Sequence, residues 1–125
     1  MIYGIGTDIV EIERISMLSE RYGGRFPERI LTLEEKQAFD SSSSPVHFLA
    51  KRFAVKEALS KAIGTGLRHP VSFGNITVVN DPLGKPGFRF HQELSAYLEQ
   101  FGISKHHLSL SDDRTVACAF VVLER

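Results

Sequence analysis

The spacing of hydrophobic residues changes along the chain and predicts which segments are helices and which are strands. Apolar residues three and four positions apart predict helices in the first half, whereas the second half has short apolar runs separated by turn residues, as strands do. The predicted elements are a strand at 2–9, helices at about 10–21, 26–40 (in pieces) and 46–63, strands at 71–80 and 87–90, a helix at 91–101, and strands at 106–111 and 115–124.

The predicted helix at 46–63 is apolar nearly all round, as in a helix packed on most sides. Gly64-Thr65-Gly66 is expected to end it. With two hairpins beside it, the helix predicts an α+β fold in which a mostly antiparallel sheet packs on a long central helix. The length of 125 residues predicts a single domain over 1–125.

Two local signals predict particular backbone features. Gly4 and Gly6 in the first predicted strand admit the close approach of another backbone. Thr32, followed three residues later by Glu35, has the spacing of a capping box at a helix start.

Composition and charge exclude several classes of protein. Hydrophobic residues make up 42% of the chain and charged residues 24%, which is ordinary for a globular protein. Lys+Arg equals Asp+Glu at 15 each, so there is no basic surplus for nucleic acid. No apolar run has the length of a membrane span, and the N-terminus lacks the pattern of a signal peptide. The single cysteine, Cys118, has no disulfide partner, which predicts a reducing compartment such as the cytoplasm.

Charged residues on the apolar helix are the first candidates for chemistry. Glu57 and Lys61 lie one turn apart, with Lys56 beside them. One interpretation is an exposed Glu-to-Lys pair, worth about 0.3 kcal/mol. The other is a site, because an uncompensated buried charge is strongly destabilising. A metal would then compensate the carboxylate and a phosphate would compensate the lysines.

Asp8, at the end of the first predicted strand, is a second candidate carboxylate. It has the residue type of an N-cap for the helix that follows. Alternatively, Asp8 and Glu57 meet and form a pair of hard oxygen ligands for magnesium, which uses one or two carboxylates and completes its shell with waters and substrate phosphates. Clustered Cys and His ligands for zinc are lacking. The magnesium interpretation predicts a substrate that carries phosphate.

Four stretches in order carry a family resemblance: GIGTDIVEIERI at the N-terminus, RFAVKEALSKAIGTG in the middle, PLGKP at 82–86 and HLSLS at 107–111. Together they resemble the holo-acyl-carrier-protein synthases, the small bacterial class of phosphopantetheinyl transferases. The resemblance implies the fold of that class and transfer of 4'-phosphopantetheine from coenzyme A to a serine of apo acyl carrier protein. The other product is adenosine 3',5'-bisphosphate, and the reaction supports fatty acid biosynthesis. It also implies homotrimers with active sites between subunits.

The resemblance further implies roles for individual residues. Asp8 and Glu57 bind magnesium, and Lys61 contacts the coenzyme A diphosphate and assists departure of the bisphosphate. Two acceptors for the serine proton stay open, a metal-bound water and Glu57 itself. Glycines also allow a backbone to approach a ligand closely. The predicted coenzyme A contacts are Arg52, Lys56, Lys61, Gly64, Thr65, Gly66, Lys85 and Ser111, with Arg68 and His69 facing the nucleotide phosphates.

Four arginines between residues 14 and 29 predict a surface for an acidic partner. Acyl carrier proteins are small and acidic, so a positive patch would steer and orient them. The alternative is a solvated face of mixed charge, since Glu20 and Glu28 lie in the same span. The predicted carrier-protein contacts are Arg14, Arg21, Arg25 and Arg29.

One position departs from the family pattern. Where the family usually reads Ser-His after the HLSLS-like strand, this chain has Ser111-Asp112. A carboxylate there would repel phosphate unless it faced away or paired with a base such as Arg114. We therefore predict that Asp112 is a turn residue whose side chain caps backbone amides of the second hairpin, with Asp113 beside it in the turn.

Two other functions use the same residues differently. A magnesium-dependent nucleotide phosphohydrolase would need the carboxylates but no acidic protein partner. A noncatalytic oligomeric binding module would use Glu57 and Lys61 as a structural ion pair.

Overall fold

Five helices and five strands make up the computed structural model, which describes residues 1–125. This composition confirms the predicted α+β fold, and none of the helices combines the length and apolarity needed to cross a bilayer. The helices are α1 (Ile12–Tyr22), α2 (Arg25–Ile30), α3 (Leu33–Asp40), α4 (Pro45–Ile63) and α5 (Gln92–Gln100), and the strands are β1 (Ile2–Glu11), β2 (Ile76–Asn80), β3 (Pro86–Phe90), β4 (Lys105–Asp112) and β5 (Val116–Glu124).

The strands form two antiparallel sheets. The larger sheet has the order β1-β5-β4, and β2 pairs with β3 in the smaller one. The strand predicted at 71–80 begins only at Ile76, because the chain before it turns on local hydrogen bonds and forms a 3-10 helix over Phe73–Asn75. The Asn75 side chain donates to the Pro70 carbonyl at 2.9 Å, and such local bonds compete with a sheet ladder.

The long helix α4 packs against β1 and β5 and is buried on most sides. Two glycines of β1 allow this contact. A Cβ on Gly6 would lie 1.9 Å from the Ala58 carbonyl oxygen, and a Cβ on Gly4 would lie 2.0 Å from that of Ala62. The expected close approach of a second backbone is confirmed, and it sets the distance between the strand that carries Asp8 and the helix that carries Glu57.

The hydrophobic core surrounds α4 and includes residues of both sheets and of α1, α2 and α5. It is one cluster of 25 buried residues, to which β5 contributes every second side chain from Ala117 to Leu123. This alternation is the pattern of a strand with one buried face. The opposite face of the same sheet carries no helix and leaves several apolar side chains exposed.

The junction between β1 and α1 corrects one interpretation of Asp8. The strand continues to Glu11, which is the N-cap residue of α1 and makes no side-chain cap bond. Asp8 therefore lies within the strand, paired in register with Ala119. The N-cap interpretation of Asp8 is wrong because β1 extends two residues beyond its predicted end, which leaves the Asp8 side chain free for other partners.

The second hairpin corrects the prediction for Asp112. Asp112 is the last residue of β4, in register with Ala117. The turn is capped by Asp113, whose Oδ1 accepts hydrogen bonds from the Thr115 amide at 2.8 Å and the Val116 amide at 2.9 Å. These bonds stabilise the carboxylate and lower the pKa of Asp113. The capping role exists, but one residue later than predicted.

Candidate functional site

Asp8, Glu57 and Lys61 come together where β1 crosses α4. The Lys61 ammonium donates to Asp8 Oδ1 at 3.1 Å and to the Thr7 carbonyl at 3.0 Å. The interpretation of Glu57 and Lys61 as an exposed helical ion pair is therefore wrong, since Lys61 pairs with the strand instead. The Lys61 side chain is 54% exposed and that of Asp8 is 16% exposed, so an ion pair lies at the edge of the site with its lysine open to solvent.

The pKa of Glu57 is raised at this position. Partial burial raises its pKa, the negative charge of Asp8 raises it further, and Lys61 and Arg14 act in the opposite direction. Asp8 therefore lies close enough to Glu57 for their charges to repel. Two carboxylates that repel each other gain from a shared cation.

The donor set fits magnesium better than a transition metal. The structure has no group of three or more His, Cys, Asp and Glu side chains arranged to hold a metal ion. A zinc site would need such a group. Magnesium is held through one or two carboxylates, and Asp8 and Glu57 supply that number of hard oxygen ligands.

A groove of about 730 Å³ lies beside Glu57, between α1, α2 and α4. Its lining is mostly apolar and aromatic, from residues such as Phe26 and Phe53, and its charged residues are Arg25, Arg29 and Glu57. A ligand in this groove would contact an apolar floor, two positive charges and the carboxylate of the site.

The four predicted partner arginines divide into two pairs. Arg25 and Arg29 line the groove beside Glu57. Arg14 and Arg21 line a neighbouring depression of about 840 Å³ on α1, together with three glutamates. The Arg14 guanidinium also lies over the Phe53 ring at 5.9 Å, so it connects the two surfaces. The mixed-charge interpretation describes the α1 pair better than the α2 pair.

The structure contradicts the prediction that Lys56 contacts coenzyme A. Its side chain is 0% exposed. Its ammonium donates to Glu35 Oε1 at 2.6 Å, to the Ile30 carbonyl at 2.7 Å and to the Phe73 carbonyl at 3.0 Å. Burial lowers the pKa of Lys56 to about 8, against the opposing effect of Glu35. All three donors are used inside the protein, so Lys56 cannot reach a phosphate.

The predicted coenzyme A contact of Arg52 is also contradicted, because this side chain is buried and paired with Glu35. It is 8% exposed, with Nε 3.2 Å from Glu35 Oε2 and the guanidinium over the Phe48 ring at 4.5 Å. Burial lowers its pKa and Glu35 raises it. Its charge is directed toward the interior of the protein.

Glu35 is the residue whose importance the sequence reasoning missed. The capping box is confirmed, with the Thr32 amide donating to Glu35 Oε1 at 2.9 Å and the Glu35 amide donating to Thr32 Oγ1 at 3.4 Å. The same carboxylate is 2% exposed and binds both Lys56 and Arg52. One sequence signal was available: Arg52 and Lys56 lie four apart on an apolar helix, so they share a face that needs an anion.

The glycines after α4 end the helix as expected. Gly64 has φ 95° and Gly66 has φ 68°, and both amides donate to the Ser60 carbonyl, at 3.0 and 3.3 Å. A separate depression of about 470 Å³ brings Gly64, Thr65, Arg68 and His69 together with Tyr97. His69 Nε2 lies 2.8 Å from a Glu93 carboxylate oxygen, so an acidic group already occupies one side of that histidine.

Three predicted positions lie away from the Glu57 groove. Lys85 is exposed in the β2–β3 turn, where its backbone amide donates to Asp81 Oδ1 at 2.9 Å. Ser111 is exposed on the edge strand β4. Asp112 lines a small depression with Lys51 and His47 at the start of α4. Within one chain these residues do not meet Glu57 or Lys61.

Comparison with known proteins gives one consistent result. Residues 4–121 match the family model of the 4'-phosphopantetheinyl transferase superfamily. A holo-[acyl-carrier-protein] synthase of Nitrosospira multiformis is 58% identical over 125 residues, which is the whole of both chains. The crystal structure of holo-[acyl-carrier-protein] synthase from Neisseria meningitidis superposes on this chain with a TM-score of 0.98 at 53% identity, covering all of both chains.

A third match contains a ligand. The Bacillus anthracis holo-(acyl-carrier-protein) synthase, in complex with CoA (3',5'-ADP), has a TM-score of 0.83 at 42% identity and covers 98% of this chain and 96% of its own. The family model spans nearly all of the sequence, and relatives above half identity align end to end with it. On both grounds the chain belongs to the 4'-phosphopantetheinyl transferase superfamily.

Proposed function

We infer that this chain transfers the 4'-phosphopantetheine group of coenzyme A to a serine of apo acyl carrier protein. The products are holo acyl carrier protein, which serves fatty acid biosynthesis, and adenosine 3',5'-bisphosphate. The observation that carries the inference is the meeting of Asp8, Glu57 and Lys61 beside an arginine-lined groove, in a chain of this superfamily. Residues 1–125 act as one transferase domain in the cytoplasm, and the free Cys118 is consistent with a reducing compartment.

Each residue of the site has a chemical task in this reaction. The serine oxygen forms a bond to the β-phosphorus, the bond to the bisphosphate leaving group breaks, and the serine loses its proton. Magnesium held by Asp8 and Glu57 would neutralise and orient the diphosphate. Lys61, exposed beside Asp8, donates to the phosphate oxygens that gain charge as the bisphosphate leaves. Glu57, which lines the groove, is one acceptor for the serine proton.

Mass spectrometry of an apo carrier protein tests the function directly. Incubation with this chain, coenzyme A and magnesium should add the mass of one phosphopantetheine group, and a chelator should prevent the addition. Hydrolysis of coenzyme A without carrier protein would instead indicate a phosphohydrolase. No change in either substrate would reject an enzyme of this class.

The groove beside Glu57 supports a docking position for the carrier protein. Arg25 and Arg29 provide positive charge, and the apolar floor suits an amphipathic acidic helix. A carrier protein bound there would bring its serine to Glu57. Arg14 and Arg21 extend the same surface along α1, with a weaker net field because three glutamates accompany them.

Charge reversal at the groove should weaken carrier binding selectively. We expect Arg25→Glu with Arg29→Glu to raise the KM for carrier protein about a hundredfold at low salt, because rim charges steer and orient the partner. The same pair should flatten the salt dependence of KM and leave the Kd of coenzyme A unchanged. Charge reversal of Arg14 and Arg21 should also raise the KM for carrier protein, by a smaller factor.

Arg89→Glu provides the matched control for these reversals. Arg89 is exposed on β3 and lies outside the groove. The control reverses one charge, as Arg25→Glu alone does, at a residue that pairs with Glu34 and not with the proposed surface. Compared with Arg25→Glu, its KM for carrier protein should stay near the wild-type value. Equal effects of the groove reversal and the control would indicate a nonspecific effect of net charge and contradict the docking position.

The exposed face of the larger sheet supports a homotrimer. Opposite α4, Ile5 is 59% exposed, Ile9 66% and Phe120 44%, and β1–β5 pairing places them on one face. Contiguous exposed apolar residues mark interaction surfaces. We propose that two further copies cover this face and bring a neighbour's Lys85 and Ser111 toward Glu57 and Lys61.

Light scattering tests the assembly. The wild-type chain should have the mass of three copies, and Phe120→Glu should shift the mass toward one copy and remove transfer activity. Leu33→Glu is the control, because Leu33 is 88% exposed on α3, away from the sheet. A wild-type monomer with full activity would contradict a shared site.

A further inference from the structure

A buried ion cluster lies directly behind the site. The Glu35 cluster consists of Glu35, Arg52 and Lys56, which are 2%, 8% and 0% exposed. Glu35 Oε1 accepts from Lys56 and from the Thr32 amide, while Oε2 accepts from the Val78 amide at 3.1 Å and lies 3.2 Å from Arg52 Nε. The cluster holds two cations and one anion, so charge balance does not account for it.

Lys56 connects the cluster to the groove. Besides Glu35, its ammonium binds the carbonyls of Ile30 at the end of α2 and Phe73 at the start of the 3-10 helix. Ile30 and Phe73 are both groove-lining residues. The Phe73 ring also stacks on Phe53 of α4, with ring centroids 5.8 Å apart. One buried ammonium therefore links α4 to two separate parts of the groove wall.

Stability alone is a weak explanation for such a cluster. Apolar residues of similar volume often replace buried ion pairs without loss of stability. What apolar residues cannot supply is a directed bond to two backbone carbonyls at once. A lysine with three donors can do this, provided that an anion such as Glu35 compensates its charge.

We propose that Lys56, held by Glu35, is a positioning residue that fixes the wall of the groove beside Glu57 for the carrier protein. The inference rests on the proposed function, in which that groove receives the carrier protein. Lys56 touches no substrate. It acts through the backbones of Ile30 and Phe73, so its loss should change how well the carrier protein fits and leave coenzyme A binding alone.

Two variants separate positioning from charge. Arg52→Met removes one of the two cations and leaves Lys56 paired with Glu35, so the bonds to the Ile30 and Phe73 carbonyls persist. Lys56→Met removes the other cation, leaves Glu35 paired with Arg52 and lacks those bonds. Relative to Arg52→Met, we expect Lys56→Met to raise the KM for carrier protein about tenfold, since small displacements of a positioning surface have large kinetic effects. The Kd of coenzyme A should stay within about twofold of the wild type.

The assays are made well below each melting temperature, on samples checked by circular dichroism. Direct titration of apo carrier protein gives its Kd without turnover. A merely structural role predicts a lower melting temperature with unchanged KM and Kd in the folded protein, and that result would overturn the proposal. If Lys56→Met does not fold, Lys56→Leu makes the same comparison with another apolar side chain, again measured against Arg52→Met.

Assays of the wild-type chain distinguish a failure of the proposed transfer reaction from a failure of the positioning role of Lys56. Wild-type transfer with equal carrier-protein KM in Arg52→Met and Lys56→Met overturns only the positioning role. A wild-type chain that binds carrier protein and does not transfer rejects the proposed reaction, while the Kd values still test positioning. A wild-type chain that neither binds nor transfers rejects both.

Discussion

Glu57→Gln should reduce phosphopantetheine transfer about a thousandfold, the effect of losing a group that stabilises developing charge. The change keeps the size and shape of the side chain and removes the negative charge that would hold magnesium and accept a proton. It should not destabilise the fold. Because the fold raises the pKa of Glu57, the ionised carboxylate is less stable in the folded than in the unfolded chain, and a neutral amide relieves its repulsion with Asp8.

The measurement combines steady-state kinetics with thermal unfolding. We expect the rate to fall while the melting temperature stays level or rises, a combination that general damage to the protein does not produce. The stability gain should disappear as pH falls through the raised pKa of Glu57, where the wild-type carboxyl also becomes neutral. Glu13→Gln, an identical change in the first turn of α1, is the control. Near-normal turnover in saturating magnesium would refute the assignment.

Gly6→Ala should produce the largest loss of stability of any single methyl addition in β1. The new Cβ would lie 1.9 Å from the Ala58 carbonyl oxygen and 2.7 Å from the Ala62 amide nitrogen. Both are backbone atoms of α4, so no side chain can rotate away and the helix must move off the strand. Overpacking of this kind destabilises by about 3 kcal/mol. The midpoint of urea unfolding should fall accordingly.

Gly87→Ala is the matched control for this substitution. Gly87 also lies in a strand, β3, and a Cβ there would meet nothing within 4 Å. Its unfolding midpoint should remain near the wild-type value. Gly6→Ala should also lose activity in the folded fraction, because the shift separates Asp8 on β1 from Lys61 on α4. An unchanged midpoint would mean that the helix and strand tolerate a wider gap than their packing indicates.

The sequence was sufficient for most of the elements and for three residues that lie together in the structure. Regular apolar spacing predicted α4 to within a residue at its start, and the motif resemblance singled out Asp8, Glu57 and Lys61, which the structure brings together. The two hairpins predicted the pairing of β2 with β3 and of β4 with β5, whereas the pairing of β1 with β5 was not predicted. The predicted features are set by local pattern or by motifs that span the chain.

Partner choice between distant residues could not be predicted. Lys56 and Glu57 are adjacent in sequence, yet successive residues of a helix point about 100° apart, so one enters the core and the other faces the site. Which of the two is buried depends on how α3 packs on α4. Glu35 is 21 positions from Lys56. The capping box already explained the presence of Glu35, so the sequence did not indicate its ion pair with Lys56.

Errors at element ends have a different cause. The strand predicted at 71–80 loses its first half because Pro70 and Asn75 form local bonds that no apolar pattern records. Asp112 and Asp113 are equally good turn residues, and only the length of β4 decides which of them reaches the free amides.

The capping box of α3 has a consequence for folding cooperativity. A helix start bound only by its own cap frays, and its amides exchange with solvent through small local openings. Here the capping carboxylate also binds α4 and the Val78 amide of β2. Opening the first turn of α3 must therefore break contacts with two other elements, so this turn unfolds together with the core and not before it. We therefore expect the amide hydrogens of Glu35 and Val78 to be among the slowest to exchange in the molecule.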